Sequence, residues 1–127
     1  MSTPAASATI QNKTARKFIG FVEEFRKLNP EIQAQQISLF LHIVAAPDLT
    51  IKELAQRAGL SLGGTTTRNV EALTERRKVY VKGEPQIVEG HGLVTVYEDL
   101  MDRRFKRVKP TEKGLRVYDT LVQLLEG

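Results

Sequence analysis

The spacing of apolar residues changes along the chain, from the three-and-four spacing of helices to the alternation typical of strands. Over residues 14–28 the spacing predicts an amphipathic helix that ends before Asn29 and Pro30. The next helix is predicted over residues 32–46, with Asn29 as its N-cap and Pro30 in its first turn. This second helix is the most apolar of the chain, so we expect it at the centre of the core.

Residues 49–78 predict two helices joined by a tight turn. Thr50 and Glu53 have the spacing of a capping box at the start of the first helix. Gly59 can end that helix in the left-handed conformation, and Ser61 is placed to cap a second helix that runs to about residues 75–78. This order of elements is typical of a helix-turn-helix. The predicted inner face of the second helix contains Leu62, Thr66, Val70 and Leu73, with Asn69 at its border.

The outer side of this second helix is small and polar at its N-terminal end. Such a surface suits entry into the major groove of DNA, because glycine lets the backbone approach, threonine can contact phosphate, and arginine can pair with guanine. A solvated amphipathic helix is the alternative interpretation. The candidate DNA contacts of this segment are Ser61, Gly63, Gly64, Thr65, Thr67, Arg68 and Asn69.

Extended segments follow the second helix. Residues 79–81 and 86–88 flank a Gly- and Pro-containing turn, which predicts a small hairpin or an ordered loop. Residues 93–97 are rich in β-branched side chains and predict a strand. After a loop at residues 98–102, residues 103–109 predict a basic returning strand.

The second of these hairpins resembles a wing, the basic hairpin that follows a recognition helix and can reach the minor groove. Asp102 can hold one neighbouring arginine by a paired hydrogen bond. A solubilising sheet edge is the alternative role for so basic a strand. Thr111 is predicted to cap a final amphipathic helix. The candidate DNA contacts of the wing are Arg103, Arg104, Lys106 and Arg107.

Composition narrows the possible functions. A chain of 127 residues with a net charge of +4 is expected to form one domain and favours a polyanionic partner. It has no cysteine, which excludes disulfides and thiolate metal sites, and its two histidines, His42 and His91, lack clustered partners. We therefore expect no enzyme activity, metal or cofactor. Without a long apolar run or a secretory signal, a cytoplasmic location with no membrane contact is expected.

Several segments resemble the MarR-type winged-helix transcriptional regulators. The resemblance covers about residues 18–125, and the link at residues 75–91 is longer than is usual in that family. It implies a homodimer held by the N- and C-terminal helices, a recognition helix in each major groove, and Arg103 or Arg104 in the minor groove. Many members repress transcription and release DNA when a small aromatic ligand binds. The matching segments are LTIKELAQRAGLS (49–61), RNVEAL (68–73), GLV (92–94), DRR (102–104) and KPTEKG (109–114).

The sequence therefore predicts a mainly α protein with a small β-hairpin wing, a winged helix-turn-helix. Residues 1–13 are expected to form a mobile arm, and residues 14–127 the DNA-binding domain with dimerising terminal helices. The expected function is sequence-specific regulation, with repression as its sign, by a homodimer on a pseudo-palindromic duplex; an effector is not identified. The alternatives are an architectural or replication-associated DNA-binding protein, and a protein-interaction module that does not bind DNA.

Overall fold

The computed structural model describes residues 5–61 and 63–127, with side chains from residue 12 onward. Helices dominate the first half of this described part, and strands are concentrated between the fourth and fifth helices. In chain order the elements are α1 (Ala5–Arg26), α2 (Ala34–Ala45), β1 (Leu49–Thr50), α3 (Ile51–Arg57), α4 (Gly64–Leu73), β2 (Arg76–Val81), β3 (Glu84–Glu89), β4 (Val94–Glu98), β5 (Lys106–Pro110) and α5 (Glu112–Glu126).

The core is formed where α2 meets the other elements. Phe40 of α2 is fully buried and meets Phe25 of α1 edge to face, with ring centroids 5.9 Å apart. Leu54, Val70 and Leu121 bring α3, α4 and α5 into the same cluster. The apolar spacing of residues 32–46 thus correctly predicted a central helix.

The helix-turn-helix is fixed by local hydrogen bonds. Thr50 accepts from the backbone N–H of Glu53 while the Glu53 carboxylate accepts from the Thr50 N–H, which completes the predicted capping box. At the other end of α3, Gly59 has a φ of 70° and the Leu60 N–H donates to the Ala55 carbonyl. This is a Schellman motif, and the helix ends where predicted.

The start of α4 differs from the prediction. Its N-cap is Gly63, which offers no side-chain hydrogen bond, and Ser61 does not cap it. Instead the Thr66 hydroxyl donates to the Ser61 carbonyl at 2.7 Å, which fixes the turn from the other side. The predicted start at Leu62 and that residue's place on the inner face lie outside the described residues.

Helix α4 ends at Leu73, so the predicted extension to residues 75–78 was wrong. Strands β2 and β3 pair in antiparallel register from Arg76 opposite Glu89 to Val81 opposite Glu84, a longer hairpin than predicted. Its turn is Lys82 and Gly83, both with positive φ, which matches the right-handed twist of the strands.

Two predicted helix starts were also wrong. Helix α1 begins at Ala5 and not at residue 14, so residues 5–13 are helical. Residues 1–4 of the predicted arm lie outside the described residues. Helix α2 begins at Ala34, and Asn29 forms a local turn instead, accepting from the Glu31 N–H at 2.8 Å.

A three-stranded sheet in the order β1-β5-β4 supports the wing. Leu49 pairs with Val108 and Val96 pairs with the same residue from the other side, so β5 is the central strand. Strand β1 was not predicted, and Arg103 and Arg104 lie in the turn before β5 and not in the strand itself. Thr111 caps α5 by accepting from the Gly114 N–H, as predicted.

Candidate nucleic-acid interface

The first two turns of α4 present small and polar side chains on their outer side. Gly63, Gly64, Thr65 and Arg68 are exposed, and Thr67 is half-buried. The Arg68 Nε atom donates to the Gly64 carbonyl at 3.1 Å, so this side chain lies back towards the helix start. The N-terminal side of α4 is therefore polar and exposed, as predicted.

Asn69 does not belong to that face, contrary to the prediction that it contacts DNA. It is buried, and its Oδ1 accepts from the Gln36 amide of α2 at 3.2 Å. Its own amide donates to Gln35, also on α2. Asn69 therefore fixes α4 against α2 and is a structural residue.

The same polar cluster extends to the strand link. The His91 Nε2 lies 3.3 Å from the Gln36 Oε1, so Gln36 connects the segment before the wing with Asn69 of α4. Burial, together with the positive charges of Arg77 and Lys113, lowers the pKa of His91 below its usual value. We did not predict this cluster from the sequence, because its members are far apart along the chain.

The wing turn positions its arginines differently. Arg104 makes a two-point contact with the Asp102 carboxylate, with Nη2 2.6 Å from Oδ2 and Nε 3.0 Å from Oδ1. This confirms that Asp102 holds one arginine, and the hydrogen bonds lower the pKa of Asp102. Arg103 is exposed and, within the described residues, has no ion-pair partner.

Arg107 braces the base of the wing. Its Nε donates to the Asp99 Oδ2 at 2.7 Å, and its Nη1 donates to the Asp48 carbonyl at 2.7 Å. Asp48 has a φ of 70° and also accepts a hydrogen bond from the Tyr97 hydroxyl. The predicted DNA contact Arg107 thus has two of its nitrogens engaged within the protein, whereas Lys106 beside it is exposed.

Asp99 is a residue that the sequence analysis missed. One of its carboxylate oxygens accepts from the N–H groups of Met101 and Asp102, and the other accepts from Arg107. Hydrogen bonds from the Met101 N–H and from Arg107 lower the pKa of Asp99. An aspartate that starts a turn was a visible signal for the backbone contacts but not for the pairing with Arg107.

Strand β2 adds positive charge next to α4. A groove of about 480 Å³ separates the two elements, and Arg68, Arg77 and Lys78 lie on its walls together with Glu71. The acidic residues of this hairpin, Glu84 and Glu89, belong to strand β3. The basic strand of the hairpin is therefore the one beside the helix that carries the major-groove candidates.

Two further features are absent from residues 5–61 and 63–127. This part contains no group of three acidic or histidine side chains that could hold a metal ion. Its helices are too short or too polar for any of them to cross a membrane.

The sequence matches no protein-family model and no curated protein. The structure is similar to solved structures of transcriptional regulators. A MepR mutant of S. aureus bound to an oligodeoxyribonucleotide is 15% identical with a TM-score of 0.66, over 98% of this chain and 78% of that chain. The structure named "Crystal Structure of MarR" is 18% identical with a TM-score of 0.60, over 97% and 77% of the two chains. The PcaV regulator of Streptomyces coelicolor with its natural ligand is 19% identical with a TM-score of 0.57, over 99% and 79%.

These similarities establish the fold. The chain has the winged-helix architecture of the MarR-type regulators over nearly its whole length. The predicted fold class and the resemblance stated from the sequence are confirmed at this level.

Proposed function

We propose that the protein is a sequence-specific, double-stranded DNA-binding transcriptional regulator that acts as a homodimer on a pseudo-palindromic site. The observation that carries this proposal is the wing turn, where Asp102 fixes Arg104 in an exposed, basic segment of a winged-helix fold. Because Arg104 is 84% exposed, the ion pair contributes little to folding stability, and we propose that it positions a cation for a partner. A solved MepR relative in fold is bound to an oligodeoxyribonucleotide.

In this proposal α4 enters the major groove through its exposed N-terminal side. Thr65, Thr67 and Arg68 contact base edges or adjacent phosphates, and the two glycines Gly63 and Gly64 allow a close approach of the backbone. Ser61 precedes the helix, is exposed, and contacts phosphate.

The wing supplies the second set of contacts. Arg103 and Arg104 contact the minor groove and the phosphates that flank it, and Lys106 neutralises backbone phosphate. Arg107 acts through its contacts with Asp99 and Asp48, holding the turn in place.

The terminal helices offer a surface for the second subunit. Helices α1 and α5 pack together, and each leaves large apolar side chains exposed, in all Phe18, Ile19, Val22, Leu115, Tyr118 and Leu125. Exposed large apolar side chains on two helices that pack together are typical of an interface. A two-fold dimer through it would carry two recognition helices about 34 Å apart, the spacing of half-sites on successive turns.

The sign of regulation that we propose is repression, because a dimer bound across a promoter excludes polymerase without a further contact. The architectural and replication-associated roles remain alternatives, as does a protein-interaction module.

The decisive experiment is selection of bound duplexes from a random pool at two salt concentrations, combined with sedimentation of the free protein. Recovery of an inverted repeat by a dimer supports the proposal. Broad, sequence-independent recovery with steep salt dependence would favour the architectural alternative. Absence of any salt-dependent duplex binding would reject DNA binding and leave the interaction module.

A further inference from the structure

The most exposed apolar side chains of the described chain lie together at the wing turn. Leu100 is 97% exposed and Met101 is 94% exposed, whereas Phe105 at the other end of the turn is 46% exposed. A single exposed apolar residue needs no explanation. Two consecutive ones at the tip of a projecting hairpin form a small apolar point that the proposed regulator does not otherwise use.

This point is held in position by hydrogen bonds. The Asp99 Oδ1 accepts from the Met101 N–H at 2.7 Å and from the Asp102 N–H at 3.2 Å. The Asp99 N–H donates to the Phe105 carbonyl at 2.9 Å, which closes the turn. Since Arg107 holds the other Asp99 oxygen, the backbone under Leu100 and Met101 is tied to the sheet.

Positive charge lies on the C-terminal side of the apolar point, whereas Glu98 and Asp99 precede it and Asp99 is paired with Arg107. Arg103, Arg104 and Lys106 follow it within a few residues, and all three are exposed. A partner that buries Leu100 must therefore also satisfy several cations, which points to a polyanion with an apolar interior. The stacked bases of a duplex, flanked by two phosphate backbones, have that combination.

We infer that Leu100 and Met101 act as an apolar wedge that enters the minor groove and partly unstacks one base step. Leucine and methionine are among the side chains that serve as such wedges in DNA-bending proteins. The inference rests on the proposed DNA-binding function and adds a mode of recognition to it. Arg103 and Arg104 hold the flanking backbone while the wedge opens the step.

A wedge gives specificity of a different kind from that of α4. Pyrimidine–purine steps such as TA and CA/TG unstack and kink more readily than other steps. The preferred site would therefore contain a deformable step under each wing, at positions where no side chain contacts a base edge. The contribution of the wedge is apolar, so it does not depend on salt.

The test uses a duplex with a TA step under the wing and 2-aminopurine beside that step, with dyes at the two ends to report bending. The full-length protein is expected to bend the duplex and raise the 2-aminopurine emission. In the double variant Leu100→Ser, Met101→Ser both signals are expected to disappear. Affinity should fall by about tenfold or more, because the complex no longer buries two large apolar side chains. The slope of log K against log salt should not change.

Two control variants separate the wedge from other effects. Ile87→Ser removes an apolar side chain that is 63% exposed from the β2–β3 hairpin, and it should leave bending intact. Arg103→Ala should lower the salt slope by about 0.9, the value for one lost phosphate contact. Circular dichroism of each variant verifies that the fold is retained.

The wedge is overturned if the double variant bends and unstacks the duplex as the unmodified protein does while Arg103→Ala lowers the slope. That result would leave the proposed DNA-binding function standing. It is also overturned if the double variant instead loses binding to vesicles of anionic lipid, or loses self-association in sedimentation, with bending unchanged. If the unmodified protein binds no duplex in a salt-dependent manner, both the wedge and the proposed function fail.

Discussion

Asp102 and Arg104 form a two-point ion pair within the wing turn, and the shorter contact is 2.6 Å between Nη2 and Oδ2. The Arg104 N–H also donates to the same carboxylate, so Asp102 fixes both the side chain and the backbone of Arg104. Arg104 is exposed to solvent and Asp102 is half-buried. In the proposed function this pair orders a cation before DNA binds.

Replacement of Asp102 is expected to weaken DNA binding although it removes a negative charge. Asp102→Asn loses the charged two-point contact. Arg104 must then become ordered when DNA binds, and this costs conformational entropy that the unmodified protein has already lost on folding. Fluorescence anisotropy with the selected duplex measures the effect. Asp119→Asn on α5 is the matched control, since it makes the same charge change and should not weaken binding. Tighter binding by Asp102→Asn would contradict the positioning role.

Substitutions of Arg68 and Lys106 are expected to reduce DNA binding in different ways. Arg68→Ala should cost on the order of 1–3 kcal/mol of binding free energy and blur the preference at one base pair. Lys106→Ala should weaken binding to all sequences alike and lower the salt slope by about one. Binding of a panel of single-base variants of the site, at several salt concentrations, separates the two. Normal discrimination by Arg68→Ala on every duplex would remove Arg68 from the base contacts.

Asn69 is expected to affect stability and not sequence preference. Asn69→Ala leaves the buried amide of Gln36 without its acceptor, which should lower the free energy of unfolding by about 1–3 kcal/mol. Urea denaturation measures this. The control is Thr65→Ala on the exposed side of α4, which should leave stability nearly unchanged. A changed base preference in a stably folded Asn69→Ala would restore Asn69 as a contact.

Glycine has opposite roles at two positions. A Cβ on Gly114 would lie 2.1 Å from the Leu93 carbonyl oxygen, so Gly114→Ala should destabilise the protein by about 1–3 kcal/mol or more. A Cβ on Gly63 meets nothing within 4 Å, and this residue has an ordinary extended backbone. Gly63→Ala is therefore expected to cost no more than about 1 kcal/mol of stability, the effect of a poorer N-cap, while reducing DNA affinity. Thermal melting and anisotropy together test both substitutions.

His91 should make stability depend on pH in the mildly acidic range. Its folded-state pKa lies below the usual 6.5, so the unfolded chain takes up a proton before the folded chain does. The stabilisation is therefore complete above about pH 6.5 and decreases as the pH falls through 6.5 towards the lower folded-state value. Denaturation at a series of pH values should show this decline, and His91→Gln should reduce it. An equal decline in His91→Gln would assign the effect to other groups.

Local chemistry explains which features the sequence predicted correctly. The capping box at Thr50, the left-handed Gly59 and the cap at Thr111 each depend on residues within about four positions of one another, and all three are present. These caps and turns mark ends of helices whose apolar stripes were also predicted. Because these local signals agree with the tertiary structure, the fold class could be predicted from the sequence.

The errors arose where a residue's partner is distant or its pattern is ambiguous. Asn69 lies at the border of the apolar stripe of α4. At such a position the sequence pattern does not distinguish a side chain that is exposed to solvent from one that contacts a buried partner such as Gln36. Arg107 appeared to be one more cation of a basic strand, because nothing in the sequence indicates its contact with the Asp48 carbonyl. The start of α1 was missed because alanine, serine and threonine without an apolar stripe do not distinguish a helix from an arm.

The two ends of the β2–β3 hairpin join the rest of the domain at the same place, next to the end of α4. The Gly90 N–H donates to the Glu75 carbonyl at 2.8 Å, and the His91 N–H donates to Ala72, so both ends of the hairpin are fastened to the end of α4. We expect the tip of this hairpin, at Lys82 and Gly83, to tolerate lengthening or exchange without displacing the wing beyond it. It is therefore the place where evolution or an engineer could add a new appendage, such as a fluorescent reporter, to this scaffold.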